Sequence, residues 1–467
     1  MKIKILSVLV VVMMLVAGFG TSAVQAGAYT ATFTTSITYQ NVGAESANVS
    51  LEFYAENSGT PIIITRPALP PMAGTSIYVG SLGELAPGFK GSAVMVSSQP
   101  LVATLVQVPA TTSGIKVRPL SNGFTGGSSY VLIPTALKQT FDANSIVSVQ
   151  NVDNVAADLR LVFIPVSGAP IEVLVDDVPA FATKYFDLDK MAAFTAPFNG
   201  SVQINATKAG TADPGLVVAS ALELNITKTG AYAFEGTDDF GTTIYMPSAL
   251  CKFNGTQTSA YAVQNTTAGD VDVTVTFAGG VTAGPYTLAA GAKRSFNACD
   301  EGNGDGYIGS AQITATGDIV AMGKVFGGGL STAFLGFTSG SAKVAMPYVR
   351  WTTAYWFDGT RQRTYLAIQN VGADLAAGAV TVKYYDKDGV LVGTDTLGAI
   401  PAGGKVNSNA GNIGAPGEEF GYYTDGTFGG SAVVEGPVGS TLAVIGRVQS
   451  RVGTLTVAED YSGIQIQ

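Results

Sequence analysis

A pair of marks recurs four times along this chain. A strand-like run ends in Gln-Asn, and further on an aromatic residue is followed by X-Gly-Ser. The first mark is Gln40-Asn41, Gln150-Asn151, Gln264-Asn265 and Gln369-Asn370. The second begins at Phe89, Phe198, Tyr307 and Phe428 and closes on Gly91-Ser92, Gly200-Ser201, Gly309-Ser310 and Gly430-Ser431. The Gln-Asn marks are 110, 114 and 105 residues apart. A period of that length is one ordinary domain, so the chain reads as four tandem copies of one unit.

Within each copy, apolar residues alternate with period two and are rich in Val, Ile, Thr, Tyr and Phe, while helical periodicity is nearly absent. The fourth copy is the plainest. Tyr365–Gln369 and Ala379–Tyr385 read as strands, Asp388-Gly389 supplies a hairpin turn, and Val390–Leu397 returns. About seven short strands per hundred residues predict a two-sheet sandwich. Copies two to four open on a strand containing Pro134, Pro247 or Pro347, which places that strand at an edge or gives it a bulge. The first copy lacks such a strand. The fold expected is therefore all-β, a tandem array of four immunoglobulin- or fibronectin-like β-sandwiches. Their boundaries are 27–122, 123–235, 236–340 and 341–450, with 451–467 as a tail or extra strand. Short linkers poor in Pro and Ser predict a stiff rod. Asn after a strand suits a turn, Gly before Ser suits close backbone approach, and the aromatic residue is expected to plug the sandwich end.

Residues 1–26 read as a signal peptide. Lys2 and Lys4 precede an apolar run, Ile5 to Val16, and Val24-Gln25-Ala26 offers small residues for cleavage. The run is too short to span a bilayer, and no later stretch is long and apolar enough. The mature chain is thus expected outside the cell, secreted or held at the cell surface. The chain has no His, which removes Ser-His-Asp catalysis and imidazole metal sites. A net charge of −9 argues against nucleic acid. Only 13% of residues are charged, so copies repel one another weakly and self-association is open to them. Cys251 and Cys299 fall in one copy of an exported chain and are expected to form a disulfide.

Two segments stand out as candidate sites. Glu301, Asn303 and Asp305 alternate before Gly306 like the start of a calcium loop, without the acidic residue that should close it; a solvated acidic turn is the other reading. The segment holding Arg350, Trp351, Tyr355, Trp356, Arg361 and Arg363 is longer than its counterparts and carries both Trp residues. Such composition suits a partner or glycan platform, or a longer hairpin covering the last sandwich.

Ile368-Gln-Asn-Val-Gly372, Val380–Gly389 and Ile400–Gly404 of the fourth copy resemble the CARDB-type domain of bacterial surface proteins. That resemblance implies an immunoglobulin-like sandwich with an adhesive role. The function expected is a non-enzymatic structural or adhesive surface protein, a layer, filament or stalk subunit. Its partners would be itself or other surface molecules. A carbohydrate- or polymer-binding module using the aromatic insert is the alternative. The terminal segments could also join chains by strand addition, the tail from Arg451 onward entering an incomplete first domain.

Overall fold

The computed structural model describes residues 33–110, 113–195, 197–225, 230–352, 360–414, 420–423 and 426–466. Among them there is no α-helix; two short 3-10 turns, Val79–Ser81 and Ala410–Ile413, are the helical pieces. The expected signal peptide, and Tyr355 and Trp356 of the aromatic insert, lie outside the described residues.

The first repeat contains β1 (Phe33–Asn41), β2 (Ala47–Ala55), β3 (Pro61–Leu69), β4 (Gly74–Tyr78), β5 (Gly91–Ser97), β6 (Leu101–Pro109) and β7 (Leu120–Asn122). The second contains β8 (Tyr130–Lys138), β9 (Asn144–Asn151), β10 (Ala157–Pro165), β11 (Ile171–Val178), β12 (Thr183–Asp187), β13 (Phe198–Lys208), β14 (Val217–Asn225) and β15 (Gly230–Glu235). The third contains β16 (Gly241–Cys251), β17 (Thr258–Asn265), β18 (Val271–Phe277), β19 (Thr282–Leu288), β20 (Lys293–Asn297), β21 (Tyr307–Gly327) and β22 (Leu330–Leu335). The fourth contains β23 (Lys343–Met346), β24 (Thr360–Asn370), β25 (Thr381–Asp386), β26 (Leu391–Thr396), β27 (Lys405–Ser408), β28 (Gly430–Glu435), β29 (Leu442–Val452), β30 (Leu455–Ser462) and β31 (Ile464–Gln465).

In the second repeat the sheet β11-β10-β13-β8 packs on β12-β9-β14-β15, and the fourth repeat has the same plan with β31 added beside β23. In the third, the 21-residue β21 runs through both layers and joins them into one seven-stranded sheet. All these pairings are antiparallel, and period-two alternation sends one side chain in and the next out: β18 alternates buried and more exposed residues along its whole length. Burial of the inward set at about 25 cal/mol per Å² of apolar area drives each sandwich together.

The opening strands β8 and β16 take sheet edges, and their pairing slips where Pro134 and Pro247 stand. Both consequences of a missing N–H donor occur together in these two, whereas β23 lies between β28 and β31 and ends before Pro347. The first repeat has no such strand among its described residues: its sheet is β3-β2-β5 only.

The expected rod is corrected. Each repeat ends on a return strand, β7, β15, β22 or β30, and these four contact one another in cyclic order, β30 lying against β7. β28 of the fourth repeat also touches β4 of the first. The four sandwiches close into a ring around those strands. Short linkers hold neighbouring domains close enough for their side chains to interlock, so they bend into a ring instead of extending. The segment after Arg451 supplies β30 and β31, both paired within its own repeat.

Candidate functional site

The two sequence marks have distinct structural roles. In every repeat the Asn is fully buried at the end of a strand. Asn151 Oδ1 accepts from the Asp153 N–H at 2.9 Å, and its Nδ2 donates to Val155 O at 2.8 Å and Val178 O at 3.0 Å. Asn41, Asn265 and Asn370 repeat this pattern onto Leu69 O, Leu288 O and Ile400 O. The side chain thus forms its turn and pins that turn to the far end of the opposite layer. The left-handed backbone an Asn could adopt is not used.

The Gly of the second mark is required sterically. A Cβ on Gly91 would lie 1.9 Å from Tyr54 O, and one on Gly200 would lie 2.1 Å from Ile164 O. Phe89, Phe198 and Tyr307 pack edge-on against Phe53, Phe163 and Phe277 in their sandwiches, as plugs. Phe428 instead stands over the Arg350 guanidinium, 6.0 Å from its ring centre.

In the first and third repeats the Ser that follows serves the seam between repeats. Phe181 O accepts from Gln150 Nε2 of its own repeat at 3.1 Å and from Ser92 Oγ of the preceding one at 3.2 Å. Gly403 O likewise accepts from Ser310 Oγ at 2.8 Å and from Gln369 Nε2 at 3.4 Å. Between the second and third repeats, buried Lys293 takes over, donating to Gly200 O and Thr135 Oγ1, each at 3.0 Å. Burial lowers its ammonium to a pKa of about 7. At the closing seam, Arg350 Nη2 reaches Ser76 Oγ of the first repeat at 3.3 Å.

Acidic side chains gather near the ring axis. Glu459, 2% exposed, accepts from the Arg118 N–H of the first repeat at 2.5 Å, and burial pushes its carboxyl up to about 8. Asp460 pairs with Arg447 through two contacts of 2.8 Å and accepts from Thr332 of the third repeat at 2.8 Å. Glu223 pairs with Lys324 across the second and third repeats. Glu235, whose carboxyl burial also raises, accepts from the Asn122 N–H. Sequence reading missed these groups. Their signal was local: a charged residue inside an apolar strand, as in Ala221-Leu-Glu223-Leu and Val457-Ala-Glu459-Asp460-Tyr.

The residues singled out from sequence fall as follows. Cys251 and Cys299 are joined, Cα to Cα 4.9 Å, tying β16 to the turn before β21. Glu301 accepts from the Tyr286 hydroxyl at 2.7 Å, Asn303 Nδ2 donates to Ala298 O at 2.8 Å, and Asp305 pairs with Lys252 at 3.1 Å. Each is thus engaged with a different neighbour. Among the described residues, no group of three His, Cys, Asp or Glu side chains converges. Arg350 is 1% exposed and points to the closing seam; burial lowers its pKa. Trp351 is half-buried, with the Arg363 guanidinium 4.8 Å from its ring centre and Tyr365 edge-on at 5.8 Å. Arg361 lies on β24, opposite Arg451. No helix among the described residues is long and apolar enough to cross a membrane.

No protein-family model matches the chain, and no curated protein does. A solved structure titled as a tetra-tandem repeat in the extending region of a large adhesion protein aligns over 92% of this chain and 95% of its own, at 12% identity. Its TM-score is 0.10, too low to carry an argument about arrangement or role.

Proposed function

We propose that this is an exported, non-enzymatic surface protein whose ring of β-sandwiches acts as one rigid structural or adhesive body. The observation that carries this reading is the closure itself. Seams of hydrogen bonds, together with the Glu223–Lys324 ion pair, hold the repeats in a fixed relation, so loops on different repeats present a constant geometry to a partner. Fixed presentation reduces the ordering cost of a multi-point contact. The disulfide fits an oxidising compartment. Calcium at the turn through Glu301 and Asp305 would be an addition to this scaffold and is not required by it.

Antibody labelling of intact producing cells tests the location, followed by an attachment assay comparing cells with and without the chain. Labelling of intact cells with weaker attachment on deletion is the expected result. Labelling that needs permeabilised cells would remove the proposal. Glycan binding is the second reading, favoured by the half-buried Trp351 with Arg363 over its ring. A glycan array showing selectivity that disappears in Trp351→Ala would establish it.

A further inference from the structure

The ring is built on one rule that three repeats obey and that the first, among its described residues, does not. The opening strand β8 completes the second sandwich beside β13 and also packs on β17 and β21 of the third repeat. β16 does the same between β21 and strands β24 and β29 of the fourth. β23 stands beside β28, and the core it belongs to takes in Val106 and Leu120 of the first repeat. The second core takes in Met322 and Ala333 of the third repeat, and the third takes in Ile445 and Ala458 of the fourth. The first repeat's sandwich core is smaller and takes in nothing from the second; Ile115 and Val117 near its end join a separate cluster with Ile146, Leu222 and Leu224 of the second.

A crevice of about 1350 Å³ lies where the missing strand would be. Phe53, Phe89 and Met95 of the first repeat line one side, and Ser148, Ser220 and Leu222 of the second line the other. Among the described residues no strand pairs with the outer edge of β5, though at its start the Tyr185 hydroxyl of the second repeat donates to Gly91 O at 2.6 Å. The exposure of β5 agrees. Val202 and Ile204, Ala311 and Ile313, and Ala432 and Val434 are all 0–1% exposed, whereas their equivalents Ala93 and Met95 are only half-buried.

We infer that this crevice is an acceptor site for one extended strand from another polypeptide. The occupant would pair antiparallel with β5 and fill the joint with the second repeat. The opening strands within this chain describe its chemistry. Tyr130-Val-Leu-Ile-Pro134, Ile244-Tyr-Met-Pro247 and Val344-Ala-Met-Pro347 each set large apolar residues before a Pro. The chain's own leader matches poorly. The first step of the repeat sets residues 20–28 at the register of β8, and they read Gly-Thr-Ser-Ala-Val-Gln-Ala-Gly-Ala. That run has one large apolar residue and no Pro, and the expected cleavage after Ala26 cuts it. The tail is committed elsewhere, since β30 and β31 pair within the fourth repeat. In strand addition, the open edge supplies backbone hydrogen bonds and the crevice selects alternate side chains. By analogy with β8 on β13, where Ile133 stands opposite Val202 and Val131 opposite Ile204, the residue before the incoming Pro would stand opposite Ala93, and the one two earlier opposite Met95.

The test uses the whole chain from Gly27 and a labelled peptide with the sequence of Ser129–Gln139. Fluorescence anisotropy should show saturable binding of one peptide per chain, and a scrambled peptide should not bind. Ser220→Arg, on the crevice wall of an otherwise complete repeat, should weaken binding at least about tenfold. Hydrogen exchange should slow in 91–97 on peptide addition and stay unchanged in β3. Two results would overturn the inference. One is no binding up to about 1 mM peptide. The other is exchange in 91–97 of the free chain already as slow as in 200–206, which would mean the edge is covered by the chain itself.

Discussion

Asn151 is buried with its amide fully engaged, and three equivalent residues repeat its contacts. Truncation to Ala would leave the Val178 carbonyl and the Asp153 N–H without partners inside the sandwich. Each such loss costs about 1–3 kcal/mol. Asn151→Ala should therefore destabilise the second repeat by about 2–4 kcal/mol, read as a lower urea midpoint. Asn151→Asp keeps the acceptor but loses both donors and aims a charge at carbonyl oxygens, so it should be no milder. The buried titratable groups set a pH dependence. Glu459 moves from 4.5 unfolded to about 8 folded, so between those values the folded chain holds a proton the unfolded chain has released. Its stabilising share is full below about 4.5 and is lost as pH rises to about 8. Lys293 moves from 10.5 to about 7, so in that window the unfolded chain holds the extra proton and stability rises with pH. The two opposing slopes place a minimum near pH 7 to 8. Urea midpoints across pH 5 to 10 should show it, with Glu459→Gln flattening the acid side and Lys293→Met reducing the alkaline slope, which Lys405, also lowered by burial to about 7, shares.

At the scale of elements, the return strand that closes each repeat has two roles. It extends its own sheet and supplies the ring axis. β30 shows both: it pairs with β29 over its full length, and it carries Glu459 to the first repeat and Asp460 to the third. Ending the chain after Val452 removes those contacts and takes one neighbour each from β29 and β23, which keep β24 and β28. The truncated chain should remain β-folded by circular dichroism but open between the fourth and first repeats. An unchanged solution radius would show that the closing seam through Arg350 suffices without β30. The disulfide acts at the same scale. Cys251 and Cys299 are 48 residues apart, and closing a loop of that length is worth about 4 kcal/mol in the chain-entropy account. Cys251→Ala with Cys299→Ala should lower the unfolding midpoint of the third repeat first.

For the whole molecule, the ring changes what the protein can reach. Four domains of this size end to end would have a radius of gyration of about 40 Å, and one compact body of the same chain about 22–25 Å. Small-angle X-ray scattering should give the smaller value, and a value near the larger would restore the rod. Stiffness then serves to fix the relative positions of loops instead of spanning a distance.

Some of this was legible in the residues alone. The Gln-Asn and Gly-Ser marks reveal the four-fold repeat because each meets a local steric or hydrogen-bonding need that any copy must satisfy. Period-two alternation reveals sandwiches because burial of one face acts over neighbouring residues. That the first copy has no Pro-bearing opening run like the others was visible by comparison. Closure was not. It depends on contacts between groups hundreds of residues apart, such as Arg118 with Glu459 and Ser76 with Arg350, and no local pattern encodes which distant partner a side chain will meet. The candidate sites divide the same way. The cysteine pair could be read from compartment and spacing. Arg350 reads from sequence as part of a partner or glycan platform; the tertiary structure buries it instead, with its guanidinium reaching Ser76 of the first repeat of the same chain.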